Sequence, residues 1–300
     1  MYKKMLILLD GSKTAEAVLP YARTLARKLN LPVELLGVVD VAALATQVSR
    51  GSSRYFDTLI SDSVLSGEAY LKRIAATFPK SNVQCTTEKG RPEEVILEKG
   101  ADNTTLITMA THGRSGINRF LLGSIAEKVL RAATSPVLLV RASEGVNNDG
   151  EATLSSVVVP LDGSELAETV LPTVTALARE FGLEVILLRA YKVPANIYAS
   201  AEDSYPMQYE EIRAEFRDEA HHYLEKKVAE LRRFGIVKVS SVMPEGLGAD
   251  EIIALAHKIP NNLIAMCTHG RSGVGRWLLG SVTESVVRHA GHPVLVVRAR

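Results

Sequence analysis

Met109-Ala-Thr-His-Gly-Arg-Ser-Gly116 returns as Met266-Cys-Thr-His-Gly-Arg-Ser-Gly273, identical at seven of eight positions. Further on, Leu121-Leu-Gly-Ser124 returns as Leu278-Leu-Gly-Ser281, and Pro136-Val-Leu-Leu-Val-Arg141 as Pro293-Val-Leu-Val-Val-Arg298. Towards the front, Leu9-Asp-Gly-Ser12 matches Leu161-Asp-Gly-Ser164. The offset is 152 from Asp10 to Asp162 and 157 from Gly113 to Gly270, so the second copy carries five extra residues between them. A period of this size is a whole domain rather than a solenoid repeat. The 300 residues therefore read as one domain written twice, over 1–142 and 155–300. Between them 143–154 is polar and glycine-containing, without apolar periodicity, and reads as a linker.

Within each copy, short apolar runs alternate with segments of helical spacing. Met5 to Leu9 is a run stopped by Asp-Gly-Ser, as suits a strand buried on both faces of a parallel sheet. Ser12 or Thr14 can cap the helical pattern that comes next. Pro20, matched by Pro172, predicts a shared kink or a late helix start there. Strands are expected at 33–39, 83–87, 106–110 and 137–140, with helices at 57–78, 92–99 and 123–132. This alternation argues for an α/β fold, an open parallel sheet with helices on both faces, repeated from Val157 to Val297. The extra length of copy two is placed mostly in 192–209, ahead of a long helix.

Composition narrows the function. Hydrophobic residues make up 46%, enough for two cores, and 35 Lys+Arg against 34 Asp+Glu leave a charge of +1. That net charge hides a division: residues 1–150 carry 19 basic and 15 acidic side chains, and 151–300 carry 16 and 19, hence +4 and −3. No one-sign field covers the chain to recruit nucleic acid or an anionic membrane. No apolar run reaches the roughly 18 to 20 residues a bilayer needs. Two cysteines, Cys85 and Cys267, are too few for a disulfide scaffold and are not spaced as metal ligands. The expectation is a soluble, cytoplasmic protein with no nucleic-acid and no membrane partner.

In open α/β sheets the ligand crevice lies at the carboxyl ends of the strands. Asp10 and Asp162 directly follow strand one, and two readings stay open: a carboxylate for a ribose hydroxyl or metal-bound water, or a turn that caps the next helix. After strand four, Thr111-His-Gly-Arg-Ser-Gly116 leads to Gly123-Ser124 at a helix start. Glycines let backbone approach a phosphate, and the positive helix end favours anionic oxygens. One such loop is weak; the same loop twice favours a phosphate cradle. Arg114, Arg119, Arg271 and Arg276 can add charge to it. His112 and His269 lack a local nucleophile or paired carboxylate and read as turn residues, so no catalytic residue and no metal site is expected. His221-His222 reads as a solvated helix face, and Cys267 as a buried strand end.

On these residues the chain resembles a tandem member of the universal stress protein family, over both halves almost end to end. That family's ATP-binding branch carries a glycine, two residues, a glycine, nine residues, then Gly-Ser or Gly-Thr. Gly113 with Gly123-Ser124 and Gly270 with Gly280-Ser281 match, while the first glycine is Ala110 in one copy and Cys267 in the other. The cradle so implied comprises Ala110, His112, Gly113, Arg114, Gly116, Gly123 and Ser124, and in copy two Cys267, His269, Gly270, Arg271, Gly273, Gly280 and Ser281. The family's strand-one aspartate maps to Asp10 and Asp162; its adenine contacts map to Leu8 and Pro160, the proline being the closer match, and to Val38 and Ala190.

The resemblance implies two Rossmann-like (adenine nucleotide alpha hydrolase-like) domains, each a five-stranded parallel sheet of order 3-2-1-4-5. It implies ATP, with Mg²⁺, as ligand of two quasi-equivalent sites and a sensor or regulator of stress survival, with at most weak ATP hydrolysis. It also implies that the last strands, Val137 to Val140 and Val294 to Val297, pair across a two-fold axis into an internal pseudo-dimer, with homodimerisation as a further option. Two alternatives stand beside it: a stress protein acting through partners without nucleotide, motivated by Ala110 and Cys267, and a slow ATP hydrolase using Asp10 or Asp162 to hold the metal.

Overall fold

The computed structural model describes residues 2–47, 53–78, 82–112, 122–142, 148–193, 206–268 and 279–298. By backbone contacts the chain divides into two units, one holding the described part of 1–153 with 293–298, the other the described parts of 154–275 and 279–292.

In the first unit β1 (Lys4–Leu8) is followed by a 3-10 turn (Ala15–Val18) and α1 (Leu19–Leu29). Then come β2 (Val33–Asp40), α2 (Val41–Gln47), α3 (Ser53–Ala75), β3 (Val83–Gly90) and α4 (Pro92–Lys99). β4 (Thr105–Ala110), α5 (Ser124–Ala132) and β5 (Val137–Val140) complete the copy. The five strands are parallel in the order β3-β2-β1-β4-β5. Met5, Leu6, Ile7, Leu106 and Ile107 in the central strands are almost wholly buried, which explains why β1 and β4 read as continuous rather than alternating apolar runs. Beyond β5, β10 (Val294–Val297) adds antiparallel, with Val294 opposite Leu139 and Val296 opposite Val137.

The second unit repeats the design. Its elements are β6 (Ser156–Pro160), a single turn α6 (Glu165–Glu168), α7 (Leu171–Phe181) and β7 (Glu184–Leu188). They continue with α8 (Pro206–Arg233), β8 (Val239–Val242), α9 (Gly248–Lys258), β9 (Asn262–Cys267) and α10 (Ser281–His289). Strands β8-β7-β6-β9 are parallel and in the same relative order as β3-β2-β1-β4. Most of the connection credited with the extra length, 194–205, lies outside the described residues.

The prolines produce late helix starts rather than kinks. α1 and α7 begin at Leu19 and Leu171, so Pro20 and Pro172 fall in the first turn, where the missing N–H costs no bond. A separate short turn precedes each.

Candidate functional site

The two strand-one turns are built alike. Gly11 and Gly163 take φ values of 83° and 86°, which admit a glycine and strain other residues. Asp10 Oδ1 accepts from the Ser12 N–H at 2.9 Å and from Ser12 Oγ at 2.6 Å; Ser12 Oγ accepts in turn from the Ala15 N–H at 3.1 Å. Asp162, Ser164 and Ala167 repeat these bonds at 2.9, 2.6 and 3.2 Å. One oxygen of each aspartate therefore organises its own turn, and the serine, rather than Thr14, caps the short turn after it.

That short turn packs against β4 in the first unit and β9 in the second, which brings the aspartate loop to the end of that strand. There Ala110 and Cys267 are buried. The Cys267 Sγ lies 3.3 Å from Thr169 Oγ1, just past α6, so its bulk is taken up against that turn. Thr283 Oγ1 donates to the Cys267 carbonyl at 2.9 Å. His112 is half-buried, with Nδ1 2.9 Å from Thr111 Oγ1.

The helix starts close onto the same strand ends. The Gly123 N–H donates to Thr111 O at 2.8 Å, and the Gly280 N–H to Thr268 O at 2.9 Å. A Cβ at Gly123 would sit 3.0 Å from Thr111 O, so a side chain would crowd that seat. Ser124 and Ser281 open α5 and α10 in exposed positions, and neither preceding glycine supplies a side-chain cap. The first-turn N–H groups and the positive helix end thus face the carboxyl edge of the sheet. Val38 and Asp40 end β2 on this edge and Ala190 stands at the matching place past β7, all half-buried; at the end of strand one Leu8 is buried and its counterpart Pro160, closing β6, is half-buried. Gly113, Arg114 and Gly116, with His269, Gly270, Arg271 and Gly273, lie outside the described residues, as do Arg119 and Arg276.

The sequence reading missed Glu16 and Tyr70, and their counterparts Glu168 and Tyr223. Tyr70 Oη lies 3.3 Å from Glu16 Oε1, and Tyr223 Oη 2.8 Å from Glu168 Oε1. Burial first, then the glutamate, raises both phenol pKa values. The recurring signal was available in Glu16-Ala-Val-Leu-Pro20 and Glu168-Thr-Val-Leu-Pro172. Among the described residues no group of three or more His, Cys, Asp or Glu side chains is arranged to hold a metal ion, and no helix is long and apolar enough to cross a membrane. His221 and His222 are exposed on α8.

Residues 1–141 and 154–298 each match the sequence model of the universal stress protein family. The chain belongs to that family. A universal stress protein of Methanocaldococcus jannaschii is 34% identical over 150 residues, covering 50% of this chain and 85% of the relative. One from Mycobacterium bovis aligns in tandem, 24% identical over 294 residues, 96% of this chain and 95% of its own. Among solved structures, a universal stress protein from Archaeoglobus fulgidus shares the fold with a TM-score of 0.67 at 20% identity, covering 99% of both chains. The duplicated Asp-Gly-Ser turn and the Gly-Ser helix start thus belong to two tandem universal stress protein domains.

Proposed function

We propose that this universal stress protein binds an adenine nucleotide, ATP with Mg²⁺, at the carboxyl edge of each sheet and acts as a sensor or regulator in the cytoplasm rather than as a fast enzyme. The observation that carries this reading is the seat of Gly123 and Gly280, built twice with the same backbone-to-backbone bond directly ahead of an open helix N-terminus, and at Gly123 tight enough to crowd a side chain. A helix end so disposed suits a phosphate, which needs N–H donors and a close backbone approach. The residues present fit that group: Ser124 with the first N–H groups of α5 would hold phosphate oxygens, as would Ser281 with α10. Asp10 and Asp162 would face the ribose or the metal-bound water, beside Val38, Pro160 and Ala190. Ala110 and Cys267 are compatible with it because both are packed into the fold, the thiol against Thr169. The outlying cradle residues His112, Gly113, Arg114 and Gly116, and His269, Gly270, Arg271 and Gly273, complete the proposed site.

The domain division 1–142 and 155–300 belongs to the same reading, as does an internal two-fold; the antiparallel register of β5 and β10 supports the latter. A second reading, a protein acting through partners without nucleotide, is favoured by the side chains at Ala110 and Cys267 where the ATP-binding branch has glycine. Mass spectrometry of the natively purified chain separates the two. Copurified adenine nucleotide, or a rise in melting temperature with millimolar ATP and Mg²⁺, is the expected result; neither would leave the partner reading.

A further inference from the structure

Both halves carry a partly buried bridge that the nucleotide reading does not use. Glu16, only 6% exposed, lies in the 3-10 turn, and its N–H reaches Ser12 O at 3.3 Å; Ser12 in turn holds Asp10. Tyr70, on the long helix α3, donates to Glu16 Oε1 at 3.3 Å. In the second half the Glu168 N–H reaches Ser164 O at 3.3 Å, and Tyr223 of the long helix α8 donates to Glu168 Oε1 at 2.8 Å. The aspartate of each turn also helps to raise its tyrosine's pKa, after burial and the glutamate, so each phenol lies in that aspartate's field.

The two bridges differ in strength. One helical turn on from Tyr223, Lys227 donates to Glu168 Oε2 at 2.6 Å, and the Arg189 guanidinium stacks 4.8 Å over the Tyr223 ring. α8 thus grips both carboxylate oxygens of its turn. In the first half Glu16 Oε2 is taken by Lys13, 2.8 Å away within the turn itself and 90% exposed, while α3 contributes the longer Tyr70 bond. Where the second half has Arg189 the first has Gly37, and the guanidinium over the Tyr70 ring is that of Arg73 from α3 itself, 5.3 Å from the centroid, so it adds no further element to the bridge.

We propose that Tyr70 and Tyr223 are positioning residues that couple each long helix to the Asp-Gly-Ser turn, tightly in the second half and loosely in the first. The coupling stands on these bonds alone. Its consequence, that the first turn is the one that tightens when ligand arrives, rests on the nucleotide reading.

Amide hydrogen exchange on the full chain tests this, using Tyr70→Phe, Tyr223→Phe and the pair Tyr223→Phe/Lys227→Met, each with a melting curve. Tyr70→Phe is expected to speed exchange at 12–17 about tenfold, the worth of one bond to a charged group, with exchange elsewhere unchanged. Tyr223→Phe alone is expected to change 164–168 less than about twofold, and the pair about tenfold. Glu16→Gln, which keeps only a neutral acceptor for Tyr70, is expected to fall between the parent and Tyr70→Phe; exchange as fast as in Tyr70→Phe would count against the bond. Unchanged exchange at 12–17 in Tyr70→Phe, or an equal rise throughout the chain, would overturn the coupling. Equal loosening of the two turns by the two single variants would overturn their inequality. If ATP with Mg²⁺ leaves the parent's exchange unaltered, the nucleotide reading and its consequence fail, while the ligand-free comparison still decides the coupling.

Discussion

At the residue scale, one polar cluster distinguishes the copies. The His257 Nε2–H donates to Ala290 O at 2.9 Å, and His292 Nδ1 lies 3.2 Å from Asn262 Nδ2, with the two rings 5.7 Å apart. The first copy has Gly100 and Ser135 at these positions, where Ser135 Oγ donates to Gly100 O at 2.5 Å and Asp102 O at 2.7 Å. Burial, then His257, lowers the His292 pKa below its ordinary 6.5. A histidine held neutral in the fold stabilises it fully above the unfolded value, and that stability is lost as the pH falls through the folded value. Urea denaturation is therefore expected to show a loss of stability below pH 6.5 that His292→Gln reduces. An identical pH profile in the variant would assign the acid sensitivity elsewhere. The reach of sequence reading at this scale is set by distance along the chain. Asp10, Gly11 and Ser12 lie within three positions of one another and were legible, whereas Glu16 meets Tyr70 54 positions away and no local pattern pairs them.

At the element scale, equivalent helices end in the same left-handed conformation on different residues. α1 closes on Asn30 with φ 50°, α7 on Gly182 with φ 67°, and each N–H returns to the carbonyl four residues back. Left-handed backbone suits glycine best and asparagine next. Nothing crowds a Cβ at Gly182, so Gly182→Ala isolates the backbone strain, expected at about 1 kcal/mol by chemical denaturation. A loss much above this would point to packing instead. The strands and the parallel sheet were legible in apolar runs and alternation, because β1 and β4 are buried on both faces, whereas the order 3-2-1-4-5 came only with the family resemblance. Helix starts were less legible: Pro20 was consistent with a kink or a late helix start, and the separate 3-10 turn before α1 shows the late start.

At the scale of the whole molecule, part of the segment read as a plain linker is a strap on α1. Arg23, 4% exposed, donates to Asn148 O and Gly150 O, both at 2.8 Å, and to Thr77 Oγ1 at 2.9 Å. Thr24 Oγ1 donates to Ala152 O at 2.8 Å, and Arg27 pairs with Glu151. These contacts were invisible in composition, since a polar glycine-containing stretch looks the same docked or free. Arg23→Ala strips donors from two strap carbonyls and is expected to cost about 2 kcal/mol, with faster proteolysis at 148–152. Unchanged proteolysis would mean that Thr24 and Arg27 suffice to hold the strap. Duplication is the molecule's largest feature, and it ties the fold to the proposed activity: each copy has one Gly-Ser helix start that bonds back to the residue after its fourth strand. Calorimetric titration of the full chain with ATP and Mg²⁺ tests this most directly. The expected result is a saturable heat that the Gly123→Asp/Gly280→Asp variant loses while keeping its circular dichroism spectrum. No heat from the parent at millimolar nucleotide, or equal heat from the variant, would contradict it.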